Sequence, residues 1–537
     1  MRPACAGQPF YQEHEGRRYC VLHFPGVKKL DAFQAAVHTK LRKQDFDFRG
    51  VWFPDEVFSF VKFEFTGAVN FSAATFSGAG NFNSATFRAT ANFGRVVFHK
   101  AAEFDAVTFS DAADFTSATF QESADFTSVT FSAVNFISVT FKGRAQFSYA
   151  SCGDTANFSY ASFGGSANFI STVFRARCHF TSASFNAGAN FSYANFEAVA
   201  FFSGAAFAAK VWFSYATFNS EVLFRLPKFG AETNFTSGTF KAATHFIGAK
   251  FSSDAYFRYA SFAGKVDFAA TVFASAANFW GASFQDYLEF SGNEHNQMFT
   301  NTSSLDMQFV RIEKPDRVSF HTLALSPHWF INVEDARTFN FTNVHWNRIG
   351  KAGPELKLLI ARARRRKDVA VSHHLLAITC RHLAANAEEN DRYREASDFR
   401  RMSMDAERLT TWRGFDVRKL NWWYWLASGY GERPSQALLV LIGIMILFGL
   451  LYTQVGVARW EPRLASEADI VVAKRDDVGA PLKLSRALNY SAGVMTLQKP
   501  EPRPTTTAAQ TVVLLETILG PVQAALLALA IRRKFMR

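Results

Sequence analysis

Cys20 and His23 stand in a Cys-x-x-His spacing with Cys5 upstream, which is half of a tetrahedral zinc site. Zinc needs four ligands and three are clear. His14 or a further residue would supply the fourth, and the alternative is two incidental cysteines. A second candidate is Glu516, a lone carboxylate within an apolar run, where ionisation is costly and a functional role is the default expectation. Its alternative is a structural hydrogen bond near the outer end of a membrane span. Gly520-Pro521 follows at once and should kink a helix, suiting either a gating hinge or tight packing. The run Arg364-Arg365-Arg366-Lys367 suits a solvated helix face or contact with anionic lipid head groups. No Ser-His-Asp context, phosphate-binding loop or convincing carboxylate pair occurs, so the chain does not read as an enzyme.

These residues need a scaffold, and phenylalanine supplies most of it. The 537 residues include 61 Phe. From Phe65 to Phe290 they recur in alternating steps of six and five, an 11-residue period; of 42 ladder positions 41 are Phe and the other is Cys152. Phe131, Phe136 and Phe141 break the alternation with two consecutive fives, and Pro227 falls in the step before Phe229. An α-helix would wind such steps around its surface, and the residues between are Ser, Thr, Ala, Asn and Gly. A two-sided strand needs period two. What remains is a short extended face, a corner and another face, each sending one large side chain into a shared interior.

The units Ala113-Asp114-Phe115, Ala124-Asp125-Phe126, Ala156-Asn157-Phe158 and Ala167-Asn168-Phe169 resemble those of pentapeptide-repeat proteins. The resemblance implies a β-solenoid, a right-handed quadrilateral β-helix, over residues 61–295, with Phe and Ala inside and Ser, Thr and charges outside. The extra residue in every other unit should bulge at a corner. Four faces per coil give roughly ten coils, on the order of 50 Å. Residues 1–60 should cap one end, carrying the possible zinc knuckle, and 296–350 should form irregular terminal coils at the other. Cys152 belongs to the core.

Charge locates the rest. The formal net charge is +12, but residues 60–295 hold 15 Lys and Arg against 16 Asp and Glu, whereas 350–420 hold 16 against 10. A near-neutral rod lacks the acidic surface of a DNA mimic, and no nucleic-acid partner is expected. The excess lies in a helical connector, 351–420, that leads toward apolar sequence, as the positive-inside rule requires of a cytoplasmic segment. Its helices are expected around Leu356–Ala363, Leu375–Leu383 and Arg392–Leu409. Five scattered cysteines do not form a disulfide framework and suit a reducing cytoplasm, and the first thirty residues have no apolar signal core.

Residues 421–537 form a two-span α-helical membrane domain, with spans about 437–457 and 511–531. Trp422-Trp423-Tyr424-Trp425 is an interfacial belt, Arg532-Arg533-Lys534 a cytoplasmic stop, and Gly429-Tyr430-Gly431, before the first span, a turn. The order Ala487-Leu488-Asn489-Tyr490-Ser491, Met495-Thr496-Leu497, Pro504-Thr505, Leu515-Glu516 and Leu519-Gly520 resembles the pore helix, filter and inner helix of the two-transmembrane-helix potassium-channel superfamily. It implies a re-entrant segment about 484–505, a pore-like stretch at Thr496, Leu497, Gln498 and Lys499, and a homotetramer. The departure is Gln498-Lys499-Pro500 where the family has Gly-Tyr-Gly, without which carbonyls cannot line up for a dehydrated potassium ion. The expectation is a multi-pass inner-membrane protein with both termini cytoplasmic, lipid and a cytoplasmic protein as partners, and no cofactor beyond structural zinc.

Overall fold

The computed structural model describes residues 9–26, 29–54, 58–292, 297–300, 302–334, 336–347, 372–409, 418, 420–455, 457–458, 484–498, 500, 503–504 and 507–535. The chain divides into two compact units, 1–356 and 357–537.

The first unit is a four-sided parallel β-solenoid. Its faces are sheets of 13, 11, 12 and 12 strands, most only two residues long. One coil takes 22 residues, so Ala91 pairs with Ala113 and Phe98 with Phe120. The two consecutive fives shorten a single coil to 21, pairing Ala113 with Val134 and Thr119 with Thr140, after which the register of 22 resumes. A lost corner residue is thus absorbed without displacing any side chain from its face.

Two kinds of corner alternate. At one kind the residue before Phe is often Asn or Asp, and its Oδ1 then commonly accepts from the backbone N–H two residues on, as Asn70 does from Ser72 and Asn190 from Ser192. This Asx turn sets up a left-handed residue one position later, Ala73 and Tyr193 in these coils. The Ala74 N–H to Phe71 carbonyl bond closes the corner. Where Thr, Ser or Val precedes Phe, the corner holds three residues, such as 77–79 between Thr75–Phe76 and Gly80–Asn81, and the extra residue sits there as expected.

Phenylalanine rings form four columns along the axis. Phe136, Phe158 and Phe180 stack at 4.9 Å, and Phe158 meets Phe147 and Phe169 edge-on at 5.4 and 5.5 Å. Cys152 interrupts one column; burial pushes its thiol up to about 12. The solenoid is longer than ten coils because stacking outlasts the sequence period. Phe48, Phe53 and Phe60 start columns under Phe71, Phe76 and Phe82. At the other end Phe320 stacks on Phe290 at 5.1 Å and Phe341 on Phe320 at 5.4 Å, across insertions that erase the spacing.

Helix α1, Leu30–Arg42, closes the first coil with buried Phe33 and Val37, and Phe33 meets Phe53 edge-on at 5.4 Å. Beside it the Lys29 ammonium donates to the carbonyls of Val21 and Leu22 at 2.8 and 3.1 Å and lies 4.6 Å from the Phe33 ring centroid. Burial pushes this amine down from 10.5 to about 7. The unfolded chain therefore binds a proton that the folded cap releases between pH 7 and 10.5, so the cap should gain stability as pH rises through that window. Hydrogen exchange in residues 30–42 should become relatively more protected from pH 7 to 9.5 after correction for intrinsic rates, and Lys29→Met should remove that dependence.

The second unit is α-helical. Helices α2, His373–Glu389, and α3, Tyr393–Leu409, form an antiparallel hairpin, since Arg381 pairs with Glu407 and Arg400 with Glu388. Leu376, Leu383, Ala396, Phe399, Met402 and Ala406 are its buried face. The helix expected at 356–363 and the run Arg364–Lys367 lie outside the described residues. Then come α4, Leu420–Ser428; α5, Pro434–Gln454; α6, Leu484–Met495; and α7, Thr507–Phe535. Pro434–Gln454 and Thr507–Arg533 are long and apolar enough to cross a membrane, with mean hydropathy 2.3 and 2.0.

Candidate functional site in the helical bundle

Helices α5, α6 and α7 pack around Phe448, Tyr452, Ala487, Tyr490 and Val494. Close approach depends on two glycines. A Cβ on Gly449 would lie 2.7 Å from Leu488 Cδ2, and one on Gly520 would lie 3.1 Å from Met495 Cα. Small residues at such contacts let helix backbones meet. Helix α7 runs unbroken through Pro521, and the crowding at Gly520 favours tight packing as the use of this pair. An apolar cavity of about 210 Å³ opens beside it, lined in part by Met445, Ala492, Met495 and Ala524.

At the centre lies Glu516, fully buried. Tyr452 Oη donates to its Oε2 at 2.6 Å, and Ser491 Oγ touches its Oε1. Ser491 Oγ also lies 3.1 Å from the Met445 carbonyl. One hydroxyl proton cannot serve both acceptors. If Glu516 donates to Ser491, every partner is satisfied, and the same pattern is open to a glutamine. Glu516 thus joins one residue from each of the other two helices, Tyr452 of α5 and Ser491 of α6. Ser491 belongs to the motif read from the sequence. Tyr452 was not singled out, because nothing in its spacing from Glu516, 64 residues away, marks it as a partner.

Thr496, Leu497 and Gln498 do not join this cluster. They end α6: Leu497 is left-handed at φ 59°, its N–H bonds the Val494 carbonyl at 3.0 Å, and Gln498 N–H bonds the Gly493 carbonyl at 2.9 Å. That bond pair is a helix C-cap, and Pro500 folds back to within 3.1 Å of where a Gly493 Cβ would be. Lys499 lies outside the described residues.

The N-terminal candidates behave differently. Cys20 Sγ and His23 Nδ1 are 3.1 Å apart, and His23 Nε2 lies 2.9 Å from the Arg49 carbonyl oxygen. Both imidazole nitrogens therefore have protein partners. His14 lies beside Phe24 and Glu15 on an exposed antiparallel β-hairpin formed by Phe10–His14 and Arg17–Cys20. Cys5 is outside the described residues, and among those described no group of three or more His, Cys, Asp or Glu is placed to hold a metal.

One edge of the solenoid is notable for its exposed rings. Tyr149, Tyr193, Tyr215 and Tyr259 occupy left-handed corners on this edge and are 51–65% exposed, with Tyr193 stacked on Tyr215 at 4.9 Å. Gly281, at the corner after Tyr259, leaves room for that ring, which a Cβ would approach to 3.0 Å.

The first unit is thus a parallel four-sided β-solenoid with inward Phe, the fold that pentapeptide repeats imply. Residues 60–108 and 104–151 match the family described as Pentapeptide repeats (9 copies), and the same ladder continues beyond the match to Phe290. No curated protein and no solved structure matches the chain.

Proposed function

We propose that the protein is anchored in a membrane by α5 and α7, that its β-solenoid acts as a cytoplasmic sensor or interaction scaffold, and that its bundle is built like a channel pore domain but closed at the filter position. The observation that carries this is the Glu516 cluster. A carboxylate and two hydroxyls, one from each helix, mutually satisfy one another between two apolar helices, as polar groups in hydrocarbon must. The basic connector and the Arg532-Arg533 end of α7 support a topology with both termini on the cytoplasmic side, by the positive-inside rule. The aromatic edge of the rod is the surface offered to a protein partner. Neither catalysis nor nucleic-acid binding is part of this reading.

The test has two parts. The full chain should resist alkaline extraction from membranes, and a cysteine placed in 460–483 should be labelled from outside the cell only. Release into the soluble fraction, or labelling only from the cytoplasm, would overturn the anchor or its orientation.

A second reading, a conducting homo-oligomeric pore, is favoured by the return of the short helix α6 between the two long ones. The helix cap at Leu497 and Gln498 weighs against potassium selectivity. Planar-bilayer recording on folded, oligomeric protein separates the two: the first reading expects no current at any voltage or ionic gradient, and reproducible unitary currents would establish the second.

A further inference from the structure

The turn between α4 and α5 carries more contacts than a connection needs. Gly429, Tyr430 and Gly431 are all left-handed, at φ 55°, 65° and 74°, and tyrosine adopts that conformation only when its surroundings enforce it. What enforces it comes from both neighbouring parts of the unit. The Tyr430 ring is buried, and its Oη lies 3.4 Å from both the Met404 carbonyl and Asp405 Oδ1 on α3. The Tyr430 carbonyl accepts from Arg533 Nη1 at 3.2 Å, near the end of α7. Gly431 suits its place by its left-handed backbone, and a Cβ there would lie 2.8 Å from Tyr424 Oη and 3.2 Å from Arg533 Nη1, so both side chains would have to move.

Glu432, next in the chain, ties the same three elements together. Its carboxylate is 7% exposed. Ser397 Oγ of α3 donates to Oε2, while Arg400 Nε of α3 and Arg533 Nη1 of α7 stand 3.8 and 3.7 Å from Oε1. Farther up α7, Gln523 Nε2 donates to the carbonyls of Ala427 and Ala437, which bracket the turn on α4 and α5. The nearly buried Glu432 carboxylate is the counter-charge shared by Arg400, which also pairs with Glu388, and Arg533, so neutralising it removes an ion pair from α3 and from α7 at once.

We propose that Glu432 and the left-handed turn before it form a latch that couples the helical hairpin α2–α3 to the C-terminal end of α7. Tilting the hairpin moves the last turns of the second apolar helix, and releasing Glu432 uncouples them and lets the strained turn relax. The contacts stand whether or not the bundle conducts. Under the membrane reading the latch lies at the cytoplasmic face, where a signal reaching the hairpin meets the spans.

Hydrogen exchange on the full chain in lipid nanodiscs tests this. In Glu432→Gln the amides of 393–409 and 524–535 should both exchange faster, by ~10-fold or more, while those of α6 stay at wild-type protection. Ser397→Ala should give the same paired pattern at smaller amplitude. Faster exchange confined to 429–433, or in the hairpin with 524–535 unchanged, would overturn the latch. If Glu432→Gln also loosens α6, Arg533→Lys decides. This variant keeps the charge and loses the geometry of the Tyr430 contact, and it must loosen the hairpin and the α7 end together with α6 intact. Loss in all three segments in both variants would mean an ordinary folding contact. A protein that leaves the membrane fraction would instead count against the anchor.

Discussion

Glu516→Ala should destabilise the α5–α6–α7 bundle by about 2–5 kcal/mol, and Glu516→Gln should leave it within about 1 kcal/mol of wild type. Alanine strands the Tyr452 hydroxyl and a Ser491 contact in a closed apolar space and leaves a cavity where the carboxyl was. Glutamine reproduces the pattern: its oxygen accepts from Tyr452, and its amide donates to Ser491, which is then free to donate to the Met445 carbonyl. Thermal melts of the purified full chain in one detergent, followed by exchange in α6, give the readout. The pair also separates roles. A carboxylate retained to move protons or ions would fail as glutamine although the bundle stays folded, whereas one retained to join three helices tolerates it. Equal loss of stability in both variants would sink the hydrogen-bonding account.

The second large effect is in the solenoid. Phe158→Ala should cost about 3–5 kcal/mol locally, since it removes a fully buried ring and leaves a hole its neighbours cannot fill. Phe158 stacks on a ring above and a ring below, meets two more edge-on and lies tilted against Phe163, so five phenylalanines lose a partner. Because each coil contacts only its neighbours, the loss should appear in native-state hydrogen exchange over the coils on either side and fade toward the ends. Tyr160→Ala is the control: two residues away, left-handed and 63% exposed, it should move stability little. An effect of equal size at Tyr160 would contradict the inward and outward assignment.

The two units were legible to different depths. The ladder could be read because its signal is local and repeated: a Phe every five or six residues, a small residue two before it, and Asn or Asp at alternate units. The corner is only partly written in the sequence: Asn70 and Asn190 close it with an Asx turn, while the left-handed corners at Tyr149, Tyr215 and Tyr259 follow Gln146, Trp212 and Tyr256. The coil number was underestimated, because Phe48, Phe320 and Phe341 take their places by stacking on a formed coil and not by spacing. In the helical unit, composition marked the two long apolar helices and the lone Glu516. It was silent on Tyr452, Glu432 and Gln523, whose partners lie tens of residues away.

The Cys20–His23 pair and the end of α6 show the same boundary. Cys20 and His23 meet, as a three-residue spacing allows, and the second imidazole nitrogen goes to the Arg49 carbonyl, a partner that no local spacing marks. The sequence around Met495-Thr496-Leu497 does not by itself say whether α6 continues or stops there. The left-handed Leu497 and the return of Pro500 over Gly493 decided for the stop.

For the phenylalanine solenoid, residue type and period were enough by themselves, because inward and outward positions along a short strand depend only on neighbours in the chain. For the polar groups of the helical unit they were not. A buried carboxylate must find donors wherever the packed helices bring them, and only the tertiary structure decided that Glu516 faces Tyr452 and Ser491 while Glu432 faces Ser397, Arg400 and Arg533.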